Sequence, residues 1–200
     1  YSTSKAVVTT SPVVVCGVPV KDEAALQRIL RKNQKVFGGK LSQDFVRNCE
    51  ERGIVCFDYM QDDSFAINNA IATAEGAIIE AMLKSETNLH LMNVLVLGFG
   101  RCGKVLSDKL RGLSCKVHVV SKDNNECALA HALGYEVIEA SKLDDTNVIF
   151  SLIFNTIPAN ILSDSCLEAF SNTLFIDIAT GSGIELPDIV RCPGLPSKYR

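Results

Sequence analysis

The apolar run Val94, Leu95, Val96, Leu97 passes without a break into Gly98, Phe99, Gly100, Arg101, Cys102, Gly103. A strand followed by G-x-G-x-x-G and then a helical pattern is the arrangement that cradles a dinucleotide. The first glycine permits the tight turn. Gly100 lets the backbone approach a pyrophosphate, and Gly103 lets the helix pack close to the sheet. The helix start offers free N–H groups and the positive end of its dipole. Arg101 adds a cation beside the phosphates, and Phe99 and Cys102 complete the loop.

The rest of the chain alternates in the same way. Residues 13–16, 35–37 and 54–57 read as strands, and 22–32 and 42–52 as helices between them. This β-α-β-α-β order predicts a small parallel sheet. Residues 64–92 carry few strand formers; Ala74, Ile78 and Met82 fall at helical spacing among other alanines. That stretch predicts a helix crossing between two domains. A second α/β unit follows, with strands at 94–97, 116–120, 135–138, 148–154 and 173–178 and helices at 104–110, 125–133 and 162–170. The expected architecture is a Rossmann-type doubly wound parallel sheet plus a smaller, incomplete α/β domain. The expected boundaries are 1–68, a linking helix at 69–90, and 91–200.

The end of the second strand of the larger unit bears on cofactor choice. An acidic residue there, about 20 residues past the glycines, would bind the 2′-hydroxyl of NAD. This chain has Ser121 and Lys122 instead, with Asp123 further into the loop. A hydroxyl and a cation suit a 2′-phosphate, so the expectation is NADP, with NAD as the alternative. Asn155, Thr156, Ile157 and Pro158 close the fourth strand where open α/β sheets bind ligands. They read either as contacts to the nicotinamide half or as a turn into the next helix. Asp177, a charge in an apolar strand, either caps a neighbouring element or faces the cleft. His118, His131 and His90 form no catalytic arrangement.

Composition narrows the class. A formal charge of -3 over 200 residues lacks the basic surface that phosphate neutralisation needs, so no nucleic-acid partner is expected. No apolar run approaches the roughly 20 residues of a membrane span. The eight cysteines are scattered, with no CxxC pair and no histidines at zinc spacing. Reduced thiols, a cytoplasmic location and no metal site are the expectations.

Four separated segments, in order, resemble the A-type subunit of dipicolinate synthase. They are Asn69-Ala70-Ile71-Ala72-Thr73-Ala74-Glu75-Gly76, the glycine loop from Leu97 to Gly103, Asn155-Thr156-Ile157-Pro158, and Pro193-Gly194-Leu195-Pro196. The likeness runs from about Cys56 onward. It implies a two-domain fold like that of D-2-hydroxyacid dehydrogenases, with a crossing helix whose start lies near Thr73 and a loop at Asn69. Asn69, Thr73 and Glu75 would then lie near the interdomain cleft as catalytic residues. The chain departs from the family pattern at Ala72, where proline is usual, at Thr180-Gly181-Ser182-Gly183, and after Pro196. The family also has an earlier strand with its own glycine-rich turn, so a longer parent protein is expected.

The resemblance implies oxidation of a dihydrodipicolinate-type precursor to pyridine-2,6-dicarboxylate in the mother cell of a sporulating bacterium. It implies a small dicarboxylate substrate, the flavoprotein-like B-type subunit of dipicolinate synthase for a partner, and a homo-oligomer. Lys198 and Arg101 are candidate cations for the substrate carboxylates. The alternatives are a stand-alone D-2-hydroxyacid-dehydrogenase-like oxidoreductase and a non-catalytic NADP-binding scaffold subunit.

Overall fold

The computed structural model describes residues 5–17, 19–179, 184–186 and 188–192. The expected turn at 180–183, the segment 193–196 and Lys198 lie outside them. The chain divides into two compact units between Ala66 and Ile67.

The first unit opens with a short helix α1 (Lys5–Thr10). It continues through β1 (Val13–Val15), α2 (Glu23–Ile29), β2 (Lys35–Gly38), α3 (Gln43–Glu51) and β3 (Val55–Asp58). The strands pair in the order β1-β2-β3, all parallel. Caps set both longer helices. Asp22 accepts from the Ala25 N–H at 2.8 Å, and Ser42 from the Phe45 N–H at 3.1 Å. Val14, Leu30, Val36, Phe45, Cys49 and Ile54 form the core.

A 3-10 turn at Tyr59–Gln61 leads into α4 (Asp63–Lys84). This helix begins ten residues before Thr73, so Asn69 and Thr73 lie inside it and not at its start. Asp62 sets the beginning. It accepts from the Phe65 N–H and the Ser64 hydroxyl, and these bonds hold its carboxyl below its ordinary value. With Ala72 in place of proline, nothing interrupts the helix there.

The second unit contains β4 (Asn93–Leu97), α5 (Arg101–Gly112), β5 (Lys116–Ser121), α6 (Asn124–Ala132), β6 (Glu136–Glu139), β7 (Leu152–Asn155), α7 (Asp164–Ala169), β8 (Leu174–Asp177) and β9 (Val190–Arg191). All pairs are parallel, in the order β6-β5-β4-β7-β8-β9. This is the doubly wound Rossmann order. Alternation along β4 feeds two cores. Val94 and Val96 pack with Ala74, Ala77, Leu106 and Leu110, whereas Leu95 and Leu97 pack with Ile153, Cys166 and Phe175.

Two strand expectations change. The apolar run at 148–154 is a strand only from Leu152, because Leu152 pairs with Val94 and β4 offers one residue before that. Ile149, beyond the partner strand, is 84% exposed. The two-residue β9 carries too little periodic signal to have been anticipated.

Candidate functional site

The order of strands reverses between β4 and β7, where Leu97 and Asn155 are register partners. The glycine loop leaves the first and the Asn155–Pro158 turn leaves the second. Ligands of open α/β sheets bind outside the carboxyl ends of the strands at such a point.

The three glycines of the loop have three different steric duties. Gly98 has φ +95, and a Cβ there would lie 2.5 Å from Thr156 Oγ1 and 2.8 Å from Ile157 Cγ1. A Cβ on Gly103 would be driven into the Gly98 carbonyl. Gly100, by contrast, faces open space; its Cβ would meet only Glu126 Oε1, at 3.6 Å. So two glycines fold the loop, and the third keeps a surface clear. Gly100 caps α5 without a side-chain hydrogen bond. The first N–H groups of this 12-residue helix therefore begin at the cleared surface. These features fit a dinucleotide pyrophosphate.

The loop side chains divide between core and surface. Phe99 is fully buried and packs edge-on against Tyr135, so only its backbone faces the site. Arg101 is exposed, and Cys102 is half-buried against the core.

The Asn155–Pro158 turn is internally braced. Asn155 is fully buried; its Nδ2 donates to the Ile157 carbonyl at 3.0 Å and to Asp177 Oδ1 at 2.9 Å. Its Oδ1 accepts from the Ile157 N–H at 3.1 Å. Asp177 in turn takes the Ala179 N–H at 3.2 Å and pairs with Arg191 at 3.3 Å. Of the two readings of Asn155 and Asp177, the capping role describes these bonds. Thr156 hydrogen-bonds across to Leu97, Ile157 leans on Gly98, and Pro158 is exposed.

The end of β5 differs from its appearance in sequence. Ser121 Oγ donates to Glu126 Oε2 at 2.6 Å and accepts from the Asp123 N–H at 3.1 Å. Its hydroxyl is thus engaged. A carboxylate does stand at this strand end, contributed by the first turn of α6. Asp123 caps that helix, taking the Asn125 and Glu126 N–H groups, which turns Glu126 back toward the strand. The S/T/D-x-x-E spacing from Asp123 to Glu126 is the signal that could have found it. Lys122 is exposed.

Thr73 and Glu75 of α4 are both engaged by neighbouring groups. Thr73 Oγ1 donates to the Asn69 carbonyl one turn earlier at 3.1 Å. Glu75 pairs with Lys109 at 2.8 Å. Lys109 lies eight residues into α5, about 12 Å below its start at 1.5 Å per residue. Glu75 is thus held by a residue rooted about two turns into α5.

Among the described residues no group of histidine, cysteine and carboxylate side chains could hold a metal ion, and no helix is long and apolar enough to cross a membrane. All eight cysteines are free thiols.

No protein-family model matches the chain. The A-type subunit of dipicolinate synthase from Bacillus subtilis is 30% identical over 122 residues, 60% of this chain and 41% of that protein. The crystal structure of the corresponding dipicolinate synthase subunit from Bacillus halodurans superposes with a TM-score of 0.83 at 24% identity, over 95% of this chain and 74% of that one. This chain resembles the A-type subunit of dipicolinate synthase. A transhydrogenase from Sinorhizobium meliloti shares the fold, with a TM-score of 0.74 at 15% identity, over 98% of this chain and 70% of that one. The chain spans about two fifths of the length of the dipicolinate synthase protein whose sequence it matches.

Proposed function

We propose that the protein is an oxidoreductase of the dipicolinate synthase type, taking a nicotinamide dinucleotide at the β4–α5 loop. The observation that carries this reading is the division of labour among Gly98, Gly100 and Gly103, joined to the sequence likeness to the synthase's A-type subunit. The reaction is oxidation of a dihydrodipicolinate-type precursor to pyridine-2,6-dicarboxylate. A hydride and a proton leave the partly reduced ring, the hydride to the oxidised dinucleotide and the proton to water, and aromatisation makes the loss favourable. When bound, the dinucleotide supplies the hydride acceptor. The chain's own residues position it. The α5 N–H groups hold the pyrophosphate, and the braced turn at Asn155–Pro158 borders the other half.

For the substrate side we propose Asn69, Thr73 and Glu75 of α4, with Arg101 as a cation for a carboxylate. Glu75 then acts while paired with Lys109. The proposed setting is the mother-cell cytoplasm during sporulation, as a homo-oligomer working with the flavoprotein-like B-type subunit. Ser121 and Lys122 favour NADP as the dinucleotide, whereas the position of Glu126 favours NAD.

The test is turnover. Purified protein is mixed with the dihydro precursor and each dinucleotide, with and without the B-type subunit, and the ultraviolet absorbance of dipicolinate is followed. Product in either condition is expected. Nucleotide binding with no product in any condition would leave a scaffold in place of an enzyme.

A further inference from the structure

Where residues 143–150 pass α7 they leave a cavity of about 240 Å³. Phe150 and Phe170 form one wall, their rings edge-on at 6.3 Å, with Val148 and Ala169 beside them. Asp144 and Asn147 supply polar groups. The cavity adjoins the amino end of β7, and Asn155 ends that strand at the switch point. Three residue steps of β7 put about 10 Å between the two ends. The cavity is thus separate from the glycine loop.

Asp144 is held in place. Ser163 Oγ, Ser165 Oγ and Cys166 Sγ all donate to its Oδ1. These bonds keep its carboxyl below the ordinary value, so it is ionised at neutral pH. Its Oδ2 accepts no hydrogen bond from a described residue, and no described cation pairs with it. The surroundings are acidic as well. Residues 143–173 hold four carboxylates, Asp144, Asp145, Asp164 and Glu168, and no lysine, arginine or histidine. Among the described residues no basic side chain lines the cavity.

We propose that this cavity binds a small organic ammonium, its cation meeting Asp144 and its apolar body covering Phe150 and Phe170. The body gains by leaving water, and the carboxylate selects the charge. A carboxylate already fixed by three bonds loses little freedom when the ammonium arrives. The two aromatic rings favour a cation over an anion in the same way. A dry apolar cavity of about 150 Å³ holds benzene. The 240 Å³ here therefore accommodates a ring with an aminomethyl arm. A molecule bearing carboxylates, a dicarboxylate substrate included, meets like charge at this place.

The test compares benzylammonium, benzyl alcohol and benzoate, which share a ring and differ in charge. Each is titrated into the isotopically labelled 200-residue chain, and the methyl and amide resonances of Val148, Ile149 and Ala169 are followed by NMR. Benzylammonium is expected to shift them and saturate with Kd on the order of 1 mM. Benzyl alcohol should bind at least about threefold more weakly and benzoate not at all, and added salt should weaken only benzylammonium. Asp144→Asn keeps an acceptor for Ser163, Ser165 and Cys166 but removes the charge. It should bring benzylammonium down to the affinity of the alcohol. Ala169→Phe, at an exposed position of α7, should fill the space and abolish the shifts. Benzyl alcohol or benzoate binding as tightly as benzylammonium would overturn the proposal. So would shifts that fail to saturate or fall only elsewhere, or benzylammonium binding that Asp144→Asn leaves unchanged. The comparison of the three ligands uses the wild type alone, so it stands even if a variant folds poorly.

Discussion

Thr156 Oγ1 donates to the Leu97 carbonyl at 2.8 Å and so stands where any side chain at Gly98 would have to go. The contact ties the carboxyl ends of β4 and β7 together at the reversal of strand order. It also makes Gly98 intolerant on two counts, its φ of +95 and the 2.5 Å approach of Thr156. Gly98→Ala should cost about 2–3 kcal/mol of stability. Thermal unfolding followed by circular dichroism would show a drop in Tm of roughly 5–10 °C.

Gly100→Ala separates binding from folding. Its φ of -72 suits alanine, and nothing stands closer than Glu126 at 3.6 Å. The melting curve should shift by no more than the equivalent of about 0.5 kcal/mol, as for other unstrained surface changes. Nucleotide affinity should fall at least about tenfold, because the methyl group occupies the approach of the pyrophosphate. Paired melting and titration experiments on the same preparation would measure both.

Asn155→Leu tests the brace at the sheet's switch point. The substitution keeps the volume but removes bonds to the Ile157 N–H, the Ile157 carbonyl and Asp177. Asp177 is 2% exposed, so its carboxylate cannot replace the lost donor with water. A loss of about 2–4 kcal/mol in urea unfolding is expected.

His118 should make stability fall in mild acid. Burial lowers its pKa below the ordinary 6.5, Glu136 partly offsetting this. Its ring lies edge-on to Phe150 at 5.3 Å. The unfolded chain therefore binds the proton more readily than the folded one. The contribution is full above pH 6.5 and declines as the pH drops from there toward the lowered folded value. Urea midpoints between about pH 7.5 and 5 should decline more steeply in the wild type than in His118→Gln.

Cys56 should resist alkylation in the native state. Burial, and then the neighbouring Cys49 thiol, push its pKa up to about 12. At about pH 8 the thiolate fraction is about one in ten thousand. Iodoacetamide followed by peptide mass spectrometry should leave Cys56 unmodified, with full modification once denaturant is added.

Much of the second unit was legible in the sequence because its signals are local. The strand at Asn93–Leu97, the loop and α5 follow from apolar residues ending abruptly in glycines. The β-α-β alternation supplied the parallel sheets. What escaped depended on partners distant in sequence or on caps in polar stretches. Asp62 starts α4 from within a run of polar residues, so the helix began earlier than the family likeness implied. The run at 148–151 has strand-like composition but no partner strand beside it. Glu126 belongs by sequence to a helix and by position to the end of β5. Reading the strand end alone could not show that the next helix folds a carboxylate back over it.

The contact between Gly98 and Gly103 carries a lesson about inheritance. A Cβ at position 103 would strike the carbonyl of residue 98, so these two sites answer to one shared geometry. In a library randomised across the loop, survivors should carry glycine at both positions, and a lineage that lost either would gain little from changing the other. Position 100, which faces open space, is free to drift wherever nucleotide binding is not selected. The loop thus records two histories, one written by folding and one by ligand, and sequencing the survivors of each kind of selection would separate them.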